Sequence, residues 1–306
     1  MAVYEQTYKQ YAGALTPEWS RFLILPRYAY RTVFQSKLFI AFFVACFIYP
    51  LVASIFIYLH HNANALGILQ VSLNELIPID GSFFKFFMWW QGIFMFFLAL
   101  IVGPILVSRD MTNNAMSLYL CRPFSRAEYI LGKMFVLVIL GSLITWVPGL
   151  LLFLFQSYLE GWAWFKDNLY IASAIYFGSF VWIILLSLLS LAISAWVKWR
   201  VVSSAILVGI FFIPFAFSGI VNELFRTKLG NLLSLQTLVN NAWDGLFGLF
   251  QREVVIGQRS TGRGRVLEQI TALEPPLWSS WLMLFLIAVF CLLLLYHRIR
   301  AYEVVR

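Results

Sequence analysis

Long unbroken apolar runs alternate with short polar segments along the whole chain. Six runs, 38–59, 86–107, 134–155, 169–197, 201–221 and 277–296, contain no Lys, Arg, Asp or Glu. A membrane-spanning helix needs about 20 mostly apolar residues, and every run reaches that length. Barrel strands are much shorter and alternate in polarity, so these runs predict helices. The fourth run is long enough to tilt or to project beyond a bilayer. Pro50, Pro104, Pro148 and Pro214 fall within four of the runs and predict kinks. The expected fold is an all-α integral membrane protein with six transmembrane helices. It divides into an N-terminal segment, 1–37, and a single transmembrane domain, 38–306.

Composition agrees. Of 306 residues, 61% are hydrophobic and only 12% charged, against about 25% charged in soluble domains. With 30 Phe and 12 Trp, the apolar surface exceeds what one soluble core can hide, whereas a bilayer acts as solvent for it. No signal-peptide pattern precedes the first run, which is too long for a signal core and is expected to be retained.

The net charge of +8 is distributed as orientation signals are, beside the runs, without a basic, aromatic-interleaved helix; nucleic-acid binding is not expected. With the N-terminus cytoplasmic, segments 1–37, 108–133, 198–200 and 297–306 hold 14 basic residues. The outer segments 60–85 and 156–168 hold Lys85 and Lys166 alone. Long loops such as 222–276 count weakly. Both termini are therefore expected inside. Trp162, Trp164, Trp278 and Trp281 mark the outer interface on this reading, and Trp196 and Trp199 the inner one.

Three polar segments predict further structure. In 17–36, Trp19, Phe22, Leu23, Pro26, Ala29, Tyr30, Val33 and Phe34 share one side of a helical wheel, opposite Arg21, Arg27, Arg31 and Gln35. That predicts an amphipathic helix on the inner membrane surface, interrupted near Pro26, although Ile24 and Leu25 break the pattern. In 222–276, amphipathic helices are expected to rest on or dip into the outer leaflet, followed by a flexible hairpin or loop around GQRSTGRGR. In 108–133, SRDMTNNAMSLYLCRPFSRAEYILGK, Ser125 and Glu128 have capping-box spacing, flanked by Phe124 and Tyr129. Pro123 discourages helix at Arg122, so a helix should start near Ser125 and carry Lys133 to the headgroup level. Asp110 can cap a short preceding helix through about Cys121.

Catalytic signals are weak. Gly132-Lys133 resembles the end of a phosphate-binding loop, but Met134 follows and the preceding RAEYIL lacks the required glycine. The chain is not expected to be an enzyme or to bind ATP itself. His60 and His61 are adjacent, so they do not share a helix face as metal ligands would; with Cys46, Cys121 and Cys291 scattered, no metal site is expected. The absence of ionisable residues from the runs argues against an ion-coupled carrier. Gln91 and the serines Ser187, Ser190 and Ser194, on one face of the fourth run, either line a path or serve helix packing.

The run DMTNNAMSLYLCRPFSRAEYILGK resembles the cytoplasmic signature of ABC-2-type permeases, the membrane subunits of ATP-binding-cassette exporters. Asp110 stands at the family's acidic position, Ala115 follows Asn114, and Tyr119, Leu120, Arg122, Pro123, Ser125, Arg126, Tyr129, Gly132 and Lys133 match. Asn114 replaces the usual glycine, a substitution that asparagine's tolerance of left-handed backbone permits. The ending HRIRAYEVVR is also similar to the family's. The resemblance implies a dimer of permeases paired with two copies of a separate ATPase carrying ATP and Mg. It makes 111–121 the coupling helix between spans 2 and 3 and Lys198–Arg200 a lesser contact. It implies export of a substrate, amphipathic or lipid-like given the uncharged runs, across a prokaryotic plasma or inner membrane. The alternative is a non-transporting membrane anchor or force-transmitting subunit of a larger complex.

Overall fold

The computed structural model describes residues 23–62, 78–113, 125–197, 199–261 and 266–298. Six helical segments are long and apolar enough to cross a membrane: Lys37–His61, Gly81–Ser108, Arg126–Glu160, Leu169–Trp196, Arg200–Phe225 and Leu277–Arg298. They overlap the six sequence runs one for one, and the chain is a multi-pass membrane protein.

Helix α1 (Ile24–Val33) precedes the spans. It begins two residues before Pro26, and the part of the expected helix before residue 23 lies outside the described residues. Pro26 falls in the first turn, where a backbone N–H has no partner within the helix to lose. Leu25, Pro26 and Val33 are buried, and Arg27 and Arg31 are exposed. Of the two residues expected to break the pattern, only Ile24 does; Leu25 joins the buried face.

The first span is two helices, α2 (Lys37–Ala45) and α3 (Ile48–His61). The second is one helix, α4 (Gly81–Thr112), capped at its start by Asp80, whose Oδ1 accepts from the Ser82 and Phe83 N–H groups at 2.9 and 3.2 Å. The third is again divided, into α5 (Arg126–Ile144) and α6 (Trp146–Glu160). A short α7 (Trp162–Asp167) leads to α8 (Leu169–Trp196), followed by α9 (Arg200–Phe225).

The four prolines act in two ways. Pro50 and Pro148 each stand in the first turn of a second half-helix, so the span breaks just ahead of them. Pro104 and Pro214 lie within continuous helices. A proline removes the donor for the carbonyl four residues earlier, and in a membrane that carbonyl needs another. For Pro50 the carbonyl is that of Cys46, which accepts from Gln91 Nε2 at 3.3 Å. For Pro104 it is that of Leu100, which accepts from the Ser204 hydroxyl at 3.1 Å, a proton shared with Arg200 O at 3.2 Å.

Helix α8 is the centre of the bundle and is packed most closely against α4. Gly103 of α4 makes that approach possible: a Cβ there would sit 1.5 Å from Ser190 Oγ. Small residues at such crossings are what membrane helices use to bring backbones together.

The segment after α9 contains a 3-10 turn (Leu229–Leu232), α10 (Leu235–Leu246), an antiparallel hairpin of β1 (Glu253–Thr261) and β2 (Val266–Leu273), and α11 (Leu277–Arg298). The hairpin pairs Glu253 with Leu273 and Thr261 with Val266, with a register shift between Val255 and Gly257. It is a departure from an all-α chain. Helix α10 is folded into the bundle, against α8, α9 and α11, rather than lying on its surface. Its last turn faces Leu277, the first residue of α11. Its first residue, Leu235, shares a cavity with Ile287, ten residues or about 15 Å further along α11. The helix therefore climbs from mid-bundle to one end.

Candidate functional site

One end of the bundle carries Arg27, Arg31, Lys37, Arg126, Arg200 and Arg298; the other mixes Asp80, Glu160, Asp167 and Glu274 with Lys85, Lys166, Arg226, Lys228 and Arg252. The first is the basic end. At the basic end, α4 stops at Thr112 and α5 starts at Arg126, so these two helix ends frame residues 114–124 and the motif of the sequence resemblance.

The start of α5 is fixed by the expected capping box. Ser125 Oγ accepts from the Glu128 N–H at 3.2 Å, and the Ser125 N–H donates to Glu128 Oε2 at 2.6 Å. One turn further in, Asp110 Oδ2 accepts from the Tyr129 hydroxyl and from Lys133 Nζ, both at 2.8 Å. Lys133 Nζ also lies 5.6 Å from the centre of the Tyr129 ring. Tyr129 is 1% exposed and Lys133 7%. A buried ion pair draws little net stability from its charges, but it punishes loss of either partner heavily. The triad thus locks the end of span 2 to the start of span 3.

One expectation is corrected here. Asp110 does not start a new helix; it sits inside α4, which continues past it to Thr112. Lys133, two turns into α5, is turned inward, and Asp110 satisfies its charge within the bundle. The sequence runs stopped at charged residues, whereas the helices go through them. Lys85 repeats the pattern at the other end, paired with Asp244 of α10.

Around the triad, Arg126 lies over the Tyr296 ring at 5.8 Å, and Arg298 over the Trp196 ring at 5.3 Å, with its Nε donating to Ala195 O at 3.4 Å. These contacts join α5 to α11 and α11 to α8. Helix α1 packs on α5, where the Tyr30 hydroxyl lies 3.4 Å from the Phe135 and Val136 carbonyls. Burial pushes its phenol above the ordinary tyrosine range, so it stays a neutral donor. Arg200 is exposed at the first position of α9. Asn114, Ala115, Tyr119, Arg122, Pro123, Lys198, Trp19 and Phe22 lie outside the described residues, as does most of 111–121.

Gln91, Ser187, Ser190 and Ser194 are fully or almost fully buried. Ser187 donates to Ile183 O within its own helix, and Ser190 to Ala99 O at 3.4 Å across to α4. Ser194 Oγ accepts from the Ser108 N–H at 2.8 Å and donates to Pro104 O at 3.1 Å. Its hydroxyl thus meets both members of one helical rung of α4. None of the four lines either of two large cavities among the described residues.

The larger cavity, about 580 Å³, lies between α4, α8, α9 and α10. Phe96 meets Phe211 at 4.7 Å between ring centres, Trp182 meets Phe211 at 5.6 Å, and Trp182 meets Trp243 at 6.1 Å. Both indoles are already committed: Trp182 Nε1 donates to Gly92 O and Trp243 Nε1 to Gly178 O, each at 3.0 Å. Sequence reasoning missed this cavity because α10, which walls it, reads as surface material. The one available signal was Trp243 in the middle of an otherwise polar NNAWDG.

Comparison with known proteins gives no matching family model and no matching curated sequence. The functional reading rests on the chain's own residues.

Proposed function

We propose that the chain is the permease subunit of an ATP-driven exporter of the ABC-2 type. It dimerises, couples to separate ATPase subunits at its basic end and moves an amphipathic or lipid-like substrate. The observation that carries this reading is the junction between spans 2 and 3. A reciprocal capping box and a buried Asp110–Tyr129–Lys133 triad hold its two ends rigidly, and its sequence resembles the family's cytoplasmic signature. A connector that only links two spans needs neither device. A segment that takes a push from a soluble motor and passes it to the bundle needs both, because force is transmitted only through elements that do not yield locally.

On this reading the basic end is cytoplasmic, which agrees with the excess of Lys and Arg there. Both termini are inside, and α1 lies along the inner membrane surface with Arg27 and Arg31 toward lipid headgroups. Nucleotide and Mg are held by the partner.

The test is co-expression with the ATPase encoded nearest to this chain's gene. Purification of the two together, with ATP hydrolysis raised in the assembly, is the expected result. Arg122→Glu should reduce co-purification while the chain still inserts and elutes as a single species. A stable complex that contains no ATPase, or co-purification unchanged by Arg122→Glu, would sink the proposal.

A further inference from the structure

The 580 Å³ cavity has the size of pockets that bury a small organic ligand. Its walls are aromatic and aliphatic, and no lining residue is charged. The indole N–H groups of Trp182 and Trp243 point to backbone carbonyls, so the rings offer only apolar faces. Polar side chains come from one wall alone, the first half of α10, as Gln236, Thr237 and Asn240. The Thr237 hydroxyl is donated to Asn231 O and Ser234 O, and the Asn240 amide to Asp244. What remains for a ligand is the neutral hydrogen-bonding capacity of two amides and a hydroxyl oxygen.

The cavity opens sideways. Phe97 of α4 and Phe212 and Phe215 of α9 line it and are 47%, 58% and 44% exposed. In a membrane that opening faces hydrocarbon, and only molecules dissolved in the bilayer reach it. A charged headgroup would have to cross the aromatic walls without a counter-ion, and no lining charge offsets its desolvation.

We infer that this cavity binds the hydrocarbon tail of an uncharged amphiphile, with its hydroxyl or carbonyl head against Gln236 and Asn240. The inference names a substrate class for the exporter reading and rests on that reading for the word substrate; the binding itself does not require an ATPase.

The test uses the full chain in phosphatidylcholine nanodiscs without any partner. Each preparation carries a trace of one of two probes with the same diazirine-bearing acyl chain, a diacylglycerol or a phosphatidylglycerol. After photolysis, labelled peptides are mapped. The expected result is preferential labelling of 89–100 and 208–215 by the diacylglycerol. Val208→Trp, which fills the cavity from α9, should reduce this labelling to that of the exposed face of the same helix. Ile213→Trp, on that exposed face, should leave it unchanged. Gln236→Lys should move the preference toward the phosphatidylglycerol probe, which keeps the inference testable if Val208→Trp does not fold. Equal labelling by both probes in the unaltered protein would overturn the inference, because that is the behaviour of annular lipid. So would a Phe212→Cys disulfide between two copies that excludes the probe, since a second chain would then occupy the opening. Tail binding without ATPase coupling would defeat the exporter reading and leave this one standing.

Discussion

Lys133 Nζ and Asp110 Oδ2 lie 2.8 Å apart across the junction of spans 2 and 3, with both side chains largely withdrawn from solvent. The Tyr129 hydroxyl donates to the same carboxylate oxygen. Because desolvation offsets most of the attraction, the pair acts less as glue than as a constraint: each partner is tolerable only beside the other.

That asymmetry is measurable. Asp110→Asn alone leaves the lysine buried without a counter-ion and should destabilise the fold by about 3–5 kcal/mol. Asp110→Asn combined with Lys133→Met removes both charges and should recover most of the loss. Thermal unfolding of the purified protein in detergent checks this. A double variant as unstable as the sum of the single ones would show that the pair is not coupled.

Gly103 permits a close approach of α4 to α8. A methyl group there would overlap Ser190 Oγ at 1.5 Å and crowd Ser190 Cβ at 2.8 Å, both on the central helix. Gly103→Ala should therefore cost at least the roughly 1–3 kcal/mol typical of overpacking. Gly209→Ala is the control: its nearest neighbour would be Ile213 Cδ1 at 3.6 Å, an ordinary contact on α9 itself, and stability should hold or rise slightly. Equal unfolding temperatures for the two variants would contradict the packing described for α4 and α8.

Gln91 and Pro50 form a second coupled pair, linked through the Cys46 carbonyl. Pro50 takes away the N–H that would serve the Cys46 carbonyl, and Gln91 Nε2 serves it from α4. In a Pro50→Ala background the helix can supply its own donor, so Gln91→Leu should cost less there than in the native chain. A double-mutant cycle should return a coupling of about 0.5–1.5 kcal/mol. Strictly additive effects would mean that the Gln91 contact carries no weight.

How much of this was legible beforehand depends on the range of each interaction. The spans were visible because bilayer hydrocarbon selects composition over about 20 residues. The Ser125–Glu128 capping box was visible because both partners fall within one turn. Lys133 and Asp110 are 23 positions apart, and nothing local says that a lysine at the edge of an apolar run will turn inward. The same blindness hid Lys85 and Asp244. It also made α10 read as an interfacial helix, since its apolar side fits a leaflet as well as it fits α8 and α11. The hairpin over 253–273 was half legible: Gly and Arg marked a turn region, but the register depends on pairing across the turn.

The capping box offers a prediction that separates holding a helix from passing on motion. Ser125→Ala removes the acceptor for the Glu128 N–H and should cost about 1 kcal/mol of stability. Ser125→Asp keeps an acceptor at the same place and should restore that loss. On the exporter proposal, if the junction is only a structural turn, ATP hydrolysis measured with the partner ATPase will follow the unfolding temperature across the series. If it transmits force, Ser125→Ala will uncouple hydrolysis from the permease at temperatures far below unfolding, since a frayed first turn of α5 absorbs the push before it reaches the Asp110–Lys133 lock. Measured at such a temperature, unchanged stimulation by the Ser125→Ala chain would remove the junction from the mechanism.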